Sequence, residues 1–164
     1  MFKRIIVLML ALAALCLLCA CGGSAPADET LRSDVPAADI SAAIDSAITS
    51  EGLITVEEGY VLGRMQIDIS KCVDYVVRIT SIGTAIDEYG IFRAADETSA
   101  AEVAAQAEAY LERYLESWMD EYRPEEKPKL LAAEVYTRGV YVIYTVMGDD
   151  NAAAALSALD SLIK

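Results

Sequence analysis

The chain of 164 residues contains no histidine and few basic residues, and both absences exclude kinds of function. Without imidazole there can be no serine or cysteine triad with a histidine base, and no zinc site with histidine ligands. Lys and Arg number 13 against 26 Asp and Glu, giving a net charge of −13 at pH 7. We therefore expect no nucleic-acid partner, because phosphates are bound by basic side chains.

Cysteine is scarce outside the first 21 residues, which have the layout of an export signal. Lys3 and Arg4 precede the apolar run "IIVLMLALAALCLL", which is shorter than the roughly 20 residues that a spanning helix needs. The tetrapeptide "LCAC" at 18–21 resembles the bacterial lipobox, whose last cysteine takes a diacylglyceryl group and becomes the first residue after cleavage. This predicts a signal peptide over 1–20, lipid attachment at Cys21 and an extracytoplasmic location at the cell membrane. A plain secretory signal and an uncleaved anchor are the alternatives.

Removal of the signal would change both the charge and the cysteine count. Without Lys3 and Arg4, the 13 basic residues fall to 11 against 26 acidic ones, a net charge of about −15 that disfavours lying flat on anionic lipid. The lipid at Cys21 would then hold the protein at the membrane, through a flexible tether predicted over 21–35. Cys72 would be the last cysteine, which leaves no intramolecular disulfide.

Helical periodicity marks three segments of the remaining chain, residues 36–164, which has the length of one domain. The first predicted helix covers 36–51, with isoleucines four residues apart on one face. The second is "ETSAAEVAAQAEAYLERYLESWMDEY", residues 97–122, ended by Pro124 because its ring disfavours helical geometry at the preceding residue. The third is "GDDNAAAALSALDSLIK", whose acidic start suits a helix N-terminus.

Alternating, β-rich runs predict two hairpins between these helices. "YVVRITSI" and "DEYGIFRA" are joined through Gly83-Thr84, and "AAEVYTR" and "VYVIYTVM" are joined at Arg138-Gly139, where glycine supplies the positive φ of a tight turn. A short helical turn is predicted at 68–74. The order α, ββ, α, ββ, α predicts a two-layer α+β fold, in which helices cover one face of a four-stranded, mainly antiparallel sheet.

A family resemblance rests on four features of the chain. These are the lipobox, an "IDEYGIFRA" strand before a long helix, the "YRPEEKPKL" break at 122–130, and a strand containing Gly139-x-Tyr141-Val142. Together they resemble a family of short bacterial lipoproteins catalogued as a domain of unknown function, DUF4358, over about residues 36–163. The resemblance implies an envelope location and an α+β fold, and it implies no activity and no site residues.

Candidate catalytic groups are few. Cys72 beside Lys71 is a candidate nucleophile, since a neighbouring cation lowers a thiol's pKa, but a small buried residue is the favoured interpretation. The acidic pairs at 87–88, 125–126 and 149–150 lie at predicted strand or helix ends, where adjacent strand side chains point to opposite faces and acids stabilise helix starts. We therefore expect no catalytic residue, and we expect no cofactor. We also expect no metal, because no oxygen-rich calcium loop is present.

Two surfaces are candidates for binding. Four acids lie four residues apart along one side of the long helix: Glu108, Glu112, Glu116 and Asp120. A solvated helix face is the ordinary explanation, and an acidic track for a basic partner or for weakly held cations is the functional one. Tyrosines of the last hairpin, with others of the first, could instead line an exposed sheet face, as tyrosine does at recognition surfaces. Those of the last hairpin are Tyr136, Tyr141 and Tyr144.

These features predict an anchored lipoprotein whose domain binds rather than catalyses. An interaction with an envelope protein, or an accessory role in the envelope, is the leading hypothesis. A binding module for a small ligand or cell-wall fragment is the alternative. A hydrolase that uses two carboxylates is a third interpretation, which would need two acids about 5–10 Å apart across a cleft.

Overall fold

The computed structural model describes residues 31–119 and 121–164, which form one packed unit from Leu31 to Lys164. The predicted signal peptide, Cys21, most of the predicted tether and Asp120 lie outside the described residues. The strands are β1 Leu53–Thr55, β2 Cys72–Thr80, β3 Glu88–Ala94, β4 Glu134–Arg138 and β5 Tyr141–Val146. The helices are α1 Ala37–Ala47, α2 Glu58–Tyr60, α3 Glu97–Glu116, α4 Lys127–Leu131 and α5 Asp149–Ile163. A π-helical turn, Val61–Met65, continues α2, and a 3-10 turn, Ile69–Lys71, precedes β2.

The sheet is antiparallel throughout, in the order β1-β2-β3-β5-β4. Both predicted hairpins are confirmed, and Gly139 adopts the expected positive φ of 58°. The prediction of four strands was wrong, because β1 pairs with β2 along the edge. β1 has only three residues, too few to show an alternating pattern.

Helices cover both faces of the sheet, so the prediction of helices on one face was also wrong. Alternate residues of β3 point to opposite sides, as a strand requires. Phe92 and Ala94 pack with α3 in one core, whereas Tyr89 and Ile91 pack with α1 and α5 in the other. The mixed α+β class holds, but the arrangement is a central sheet between two helical layers.

Three local predictions differ from the observed elements. α3 ends at Glu116, well before Pro124. Directly after Glu116, the hydroxyl of Ser117 donates to the carbonyl oxygen of Tyr114 and competes with the backbone hydrogen bonds that would continue the helix. α1 ends at Ala47 rather than at residue 51. Cys72 is the first residue of β2 rather than part of a helical turn, and only residues 69–71 before it are helical.

The last residues of the predicted tether belong to the packed unit. The backbone N–H of Arg32 donates to the carbonyl oxygen of Ile163 over 2.7 Å. Val35 is buried, and its N–H donates to the hydroxyl of Tyr141 over 2.9 Å. Residues 31–35 are therefore held against the domain. No helix within the described residues is long and apolar enough to cross a bilayer.

Candidate functional site

The most unusual group in the described unit is the carboxylate of Glu88, which is 3% exposed. The hydroxyls of Tyr144 and Tyr110 both donate to its Oε1, over 2.6 and 2.9 Å. The Tyr110 hydroxyl also lies 3.4 Å from that of Tyr60. Burial raises the pKa of Glu88 to about 7, against the two hydroxyl donors and the charge of Arg64, which lower it. Glu88 therefore changes its charge near neutral pH.

The strands place Glu88 on the α3 side of the sheet, and a glycine makes room for one of its partners. Gly90 lies opposite Tyr144 in the β3–β5 register. A Cβ on Gly90 would meet the Tyr144 ring at 2.3 Å, a distance that real carbon atoms do not tolerate. The absence of a side chain thus lets the ring lie across the strand and its hydroxyl reach Glu88, two residues earlier.

Beside this cluster, a cleft of about 330 Å³ lies between the π turn and α3. Arg64 lines it from the π turn, and Arg113 lines it from α3 together with Tyr110 and Tyr114. The guanidinium of Arg64 lies 5.9 Å from the centre of the Tyr114 ring. Nη2 of Arg113 donates to the carbonyl oxygen of Met65 over 2.7 Å, which ties the π turn to the helix. Two cations and two aromatic rings therefore share one cleft.

The acidic side of α3 borders a second groove, of about 410 Å³, between α3, α4 and β4. Glu108 and Glu112 stand on its α3 wall, exposed. Glu134 of β4 also borders the groove, but its carboxylate accepts from Tyr136, which packs on the opposite side of the sheet. Its remaining lining is apolar and comes from all three elements: Leu111, Leu115, Leu130, Leu131, Ala133 and Val135. Glu116 is exposed on the same helix but does not line the groove, and Asp120 is not among the described residues.

The predicted exposed tyrosine face is wrong, because both faces of the sheet are covered. Tyr141 and Tyr144 are fully buried, on opposite sides of the sheet. Tyr136 is partly buried, and its hydroxyl donates to Glu134 over 2.5 Å. Tyr144 is instead part of the Glu88 cluster, and the hydroxyl of Tyr141 holds Val35.

The acids at 87–88 do not act as a pair, because Glu88 binds Tyr110 and Tyr144 whereas Asp87, in the loop before β3, has other partners. Asp87 accepts from Lys129 Nζ over 2.8 Å and from Ser50 Oγ over 2.9 Å. The same Lys129 Nζ lies 2.9 Å from Glu126. These contacts of Lys129 hold the loop before β3 against α4. Asp87 and Glu126 therefore have a structural role.

Cys72 is a weak nucleophile in this fold. Burial, with the charges of Asp68 and Asp74, raises the pKa of its thiol to about 11. Lys71, the cation expected to lower that pKa, pairs with Glu102. The described residues also contain no cluster of three or more Cys, Asp or Glu arranged to hold a metal ion.

Sequence reasoning missed both Glu88 and Arg64 as site residues. The tyrosines that surround Glu88 come from α3 and β5, which lie 22 and 56 residues further along the chain. Arg64 lies within a π turn, which has no sequence signature of its own. The available signal was Glu88 itself, an acid at the start of the apolar strand β3. All residues of that strand except Arg93 are buried.

Comparison with known proteins identifies a family of unknown function. The family model described as "Domain of unknown function (DUF4358)" matches residues 64–147. This span begins within the π turn and ends just after β5, and it is shorter than the 36–163 expected from the resemblance. It includes Glu88 with Tyr110 and Tyr144, the groove between α3, α4 and β4, and all of the cleft lining except Gly63. No curated protein and no solved structure matches the chain.

Proposed function

The chain belongs to the DUF4358 family, and because that description names no activity, we propose a function from the chain's own residues. We propose that it is a lipid-anchored, extracytoplasmic interaction module and not an enzyme. Its groove between α3, α4 and β4 would bind a segment of an envelope protein that combines basic and apolar side chains. The observation that supports this most is an apolar floor bordered by two exposed carboxylates of α3.

The apolar floor supports a peptide rather than a free cation as the occupant. Leu131 is 62% exposed, so a large hydrophobic side chain borders the groove in contact with water. Covering such a side chain is favourable by about 25 cal/mol per Å² of apolar surface. β4 is also an edge strand, and within the described chain it pairs only with β5. Its outer backbone groups can therefore pair with an added segment.

The carboxylates on the α3 wall support a basic partner. Glu108 and Glu112 are both exposed and one helical turn apart, so a lysine or arginine of the partner would meet two acids on that wall. Exposed charges of this kind speed association and select the partner more than they add affinity, and salt weakens them.

The proposed location rests on the sequence at Cys21. A diacylglyceryl group has two acyl chains, which hold a protein at a bilayer far longer than one chain does. We expect Cys21→Ala to remove the protein from the membrane fraction. A Cys21→Ala variant that still sediments with membranes would show that the signal is an uncleaved anchor instead.

A photo-crosslinking experiment in living cells tests the groove. A benzoylphenylalanine at Leu131 should capture one envelope protein, through a peptide rich in lysine or arginine and apolar residues. The matched control carries the probe at Val73, which is 60% exposed against 62% for Leu131 but lies at the start of β2. Equal capture from both positions would contradict the proposed site.

Charge reversal tests the role of the acids in that capture. Glu112→Lys should reduce the yield from the Leu131 probe by about tenfold, equivalent to about 1.4 kcal/mol. Glu51→Lys makes the same charge change at an exposed position outside the groove and should leave the yield unchanged. A yield that is insensitive to Glu112→Lys would mean that the groove binds no basic segment.

A further inference from the structure

The cleft between the π turn and α3 has the chemistry of an anion site, and it lies apart from the acidic groove. Within residues 31–119 and 121–164, most basic side chains form ion pairs with carboxylates. The paired residues are Arg32, Lys71, Arg78, Arg93, Lys129, Arg138 and Lys164. Arg64, Arg113 and Arg123 form no such pair with a described carboxylate, although acids outnumber bases twofold in this chain, and the first two of them line the cleft.

Arg64 and Arg113 are held toward the same space. Arg64 is exposed but lies over the Tyr114 ring, and a guanidinium stacked on a ring is restricted before any ligand arrives. Arg113 is anchored through Nη2 to the carbonyl oxygen of Met65 and lines the same cleft. A site that is ordered in advance loses less conformational entropy on binding.

The backbone that presents Arg64 is itself uncommon. Val61–Met65 is a π turn, a form that occurs frequently at functional sites. It ends at Gln66, whose φ of 59° is left-handed, a conformation that side chains other than glycine adopt rarely. The turn brings Gly63, Arg64 and Gln66 to the wall of one cleft.

We propose that this cleft binds a small ligand through an oxyanion, a carboxylate or phosphate group, held between Arg64 and Arg113. The planar fork of a guanidinium matches both groups and can donate two parallel hydrogen bonds to either. The volume of about 330 Å³ accommodates a small molecule rather than a folded partner. Gln66 and Ser117, which also line the cleft, can hydrogen-bond the rest of the ligand.

Calorimetric titration of the full-length chain in mild detergent tests this proposal. Inorganic phosphate and benzoate serve as a tetrahedral and a flat probe at constant ionic strength. Fluorescence of Trp118, the single tryptophan, is the local readout, because its ring centre lies 6.5 Å from that of Tyr114. We expect saturable binding of at least one probe, and the preferred probe identifies which oxyanion the cleft recognises.

Three variants separate the cleft from the rest of the surface. Arg64→Gln removes one cation and should weaken binding by about tenfold or more. Gly63→Leu should also block binding without disturbing the fold, because a Cβ at Gly63 meets nothing within 4 Å. Arg32→Gln removes an exposed cation that pairs with Asp34 elsewhere, and it should leave binding unchanged. The absence of saturable binding up to about 10 mM, or equal binding in all variants, overturns the proposal.

Discussion

Replacing Glu88 with glutamine should stabilise the protein above neutral pH. Burial raises the pKa of Glu88 from 4.5 to about 7, so the folded state holds a proton that the unfolded state releases. The contribution of Glu88 to the free energy of unfolding is therefore fully present below its unfolded pKa of 4.5. It is lost as the pH rises through the folded pKa of about 7. At about 1.4 kcal/mol per unit, the charged form costs the folded state about 3 kcal/mol. Glutamine cannot ionise and still accepts from Tyr110 and Tyr144.

Urea unfolding at a series of pH values measures this difference. The stability of Glu88→Gln relative to the wild type should increase by about 2–3 kcal/mol between pH 5 and pH 8. Other titrating groups are common to both proteins, so they cancel in the difference. Glu112→Gln removes an exposed carboxylate as a control and should show no such increase. A difference between Glu88→Gln and the wild type that is constant with pH, or that falls as pH rises, would refute the reasoning.

Three further changes test the packing around the sheet. Gly90→Ala should push the Tyr144 ring aside and cost about 1–3 kcal/mol, measured by urea unfolding; an unchanged midpoint would show that the ring has room to move. Lys129→Met leaves the buried Asp87 without its cation and should cost about 3 kcal/mol, and a neutral effect would mean that water replaces the amine. Iodoacetamide should label Cys72 about tenfold more slowly in the folded chain than in urea at pH 8, because a raised pKa leaves little thiolate. Mass spectrometry measures the two labelling rates, and equal rates would contradict the burial of the thiol.

The hairpins and the main helices could be predicted because their signals are local. Gly139 fixes one turn, and the apolar positions of α1, α3 and α5 recur at helical spacing. The coverage of the second sheet face also had a signal. All six residues of β5 are buried, and its sequence "YVIYTV" is apolar at nearly every position, as in a strand covered on both sides. Alternation in one strand therefore does not predict a solvent-exposed face for the whole sheet.

The sites were less predictable, because their residues meet only in the folded chain. Tyr141 and Tyr144 are three residues apart, so strand geometry places them on opposite faces and excludes a shared tyrosine surface. Glu108 and Glu112 were predicted from helical spacing, and the apolar floor beside them depends on α4, which the sequence analysis did not predict. Their role in binding stays a prediction.

The pairing of Arg32 with Ile163 joins the beginning of the packed unit to its end. α1 packs against α5, the last element of the chain, in the core on one side of the sheet. A ribosome releases the chain from its amino end, so α1 can meet β2 and β3 first, and its contact with α5 forms only after that 15-residue helix has been made. β2, β3 and α3 can associate earlier, but the helical layer of α1 and α5 is complete only after α5 has left the ribosome. Until then, the side of α1 that packs on α5 is exposed apolar surface that a chaperone can bind.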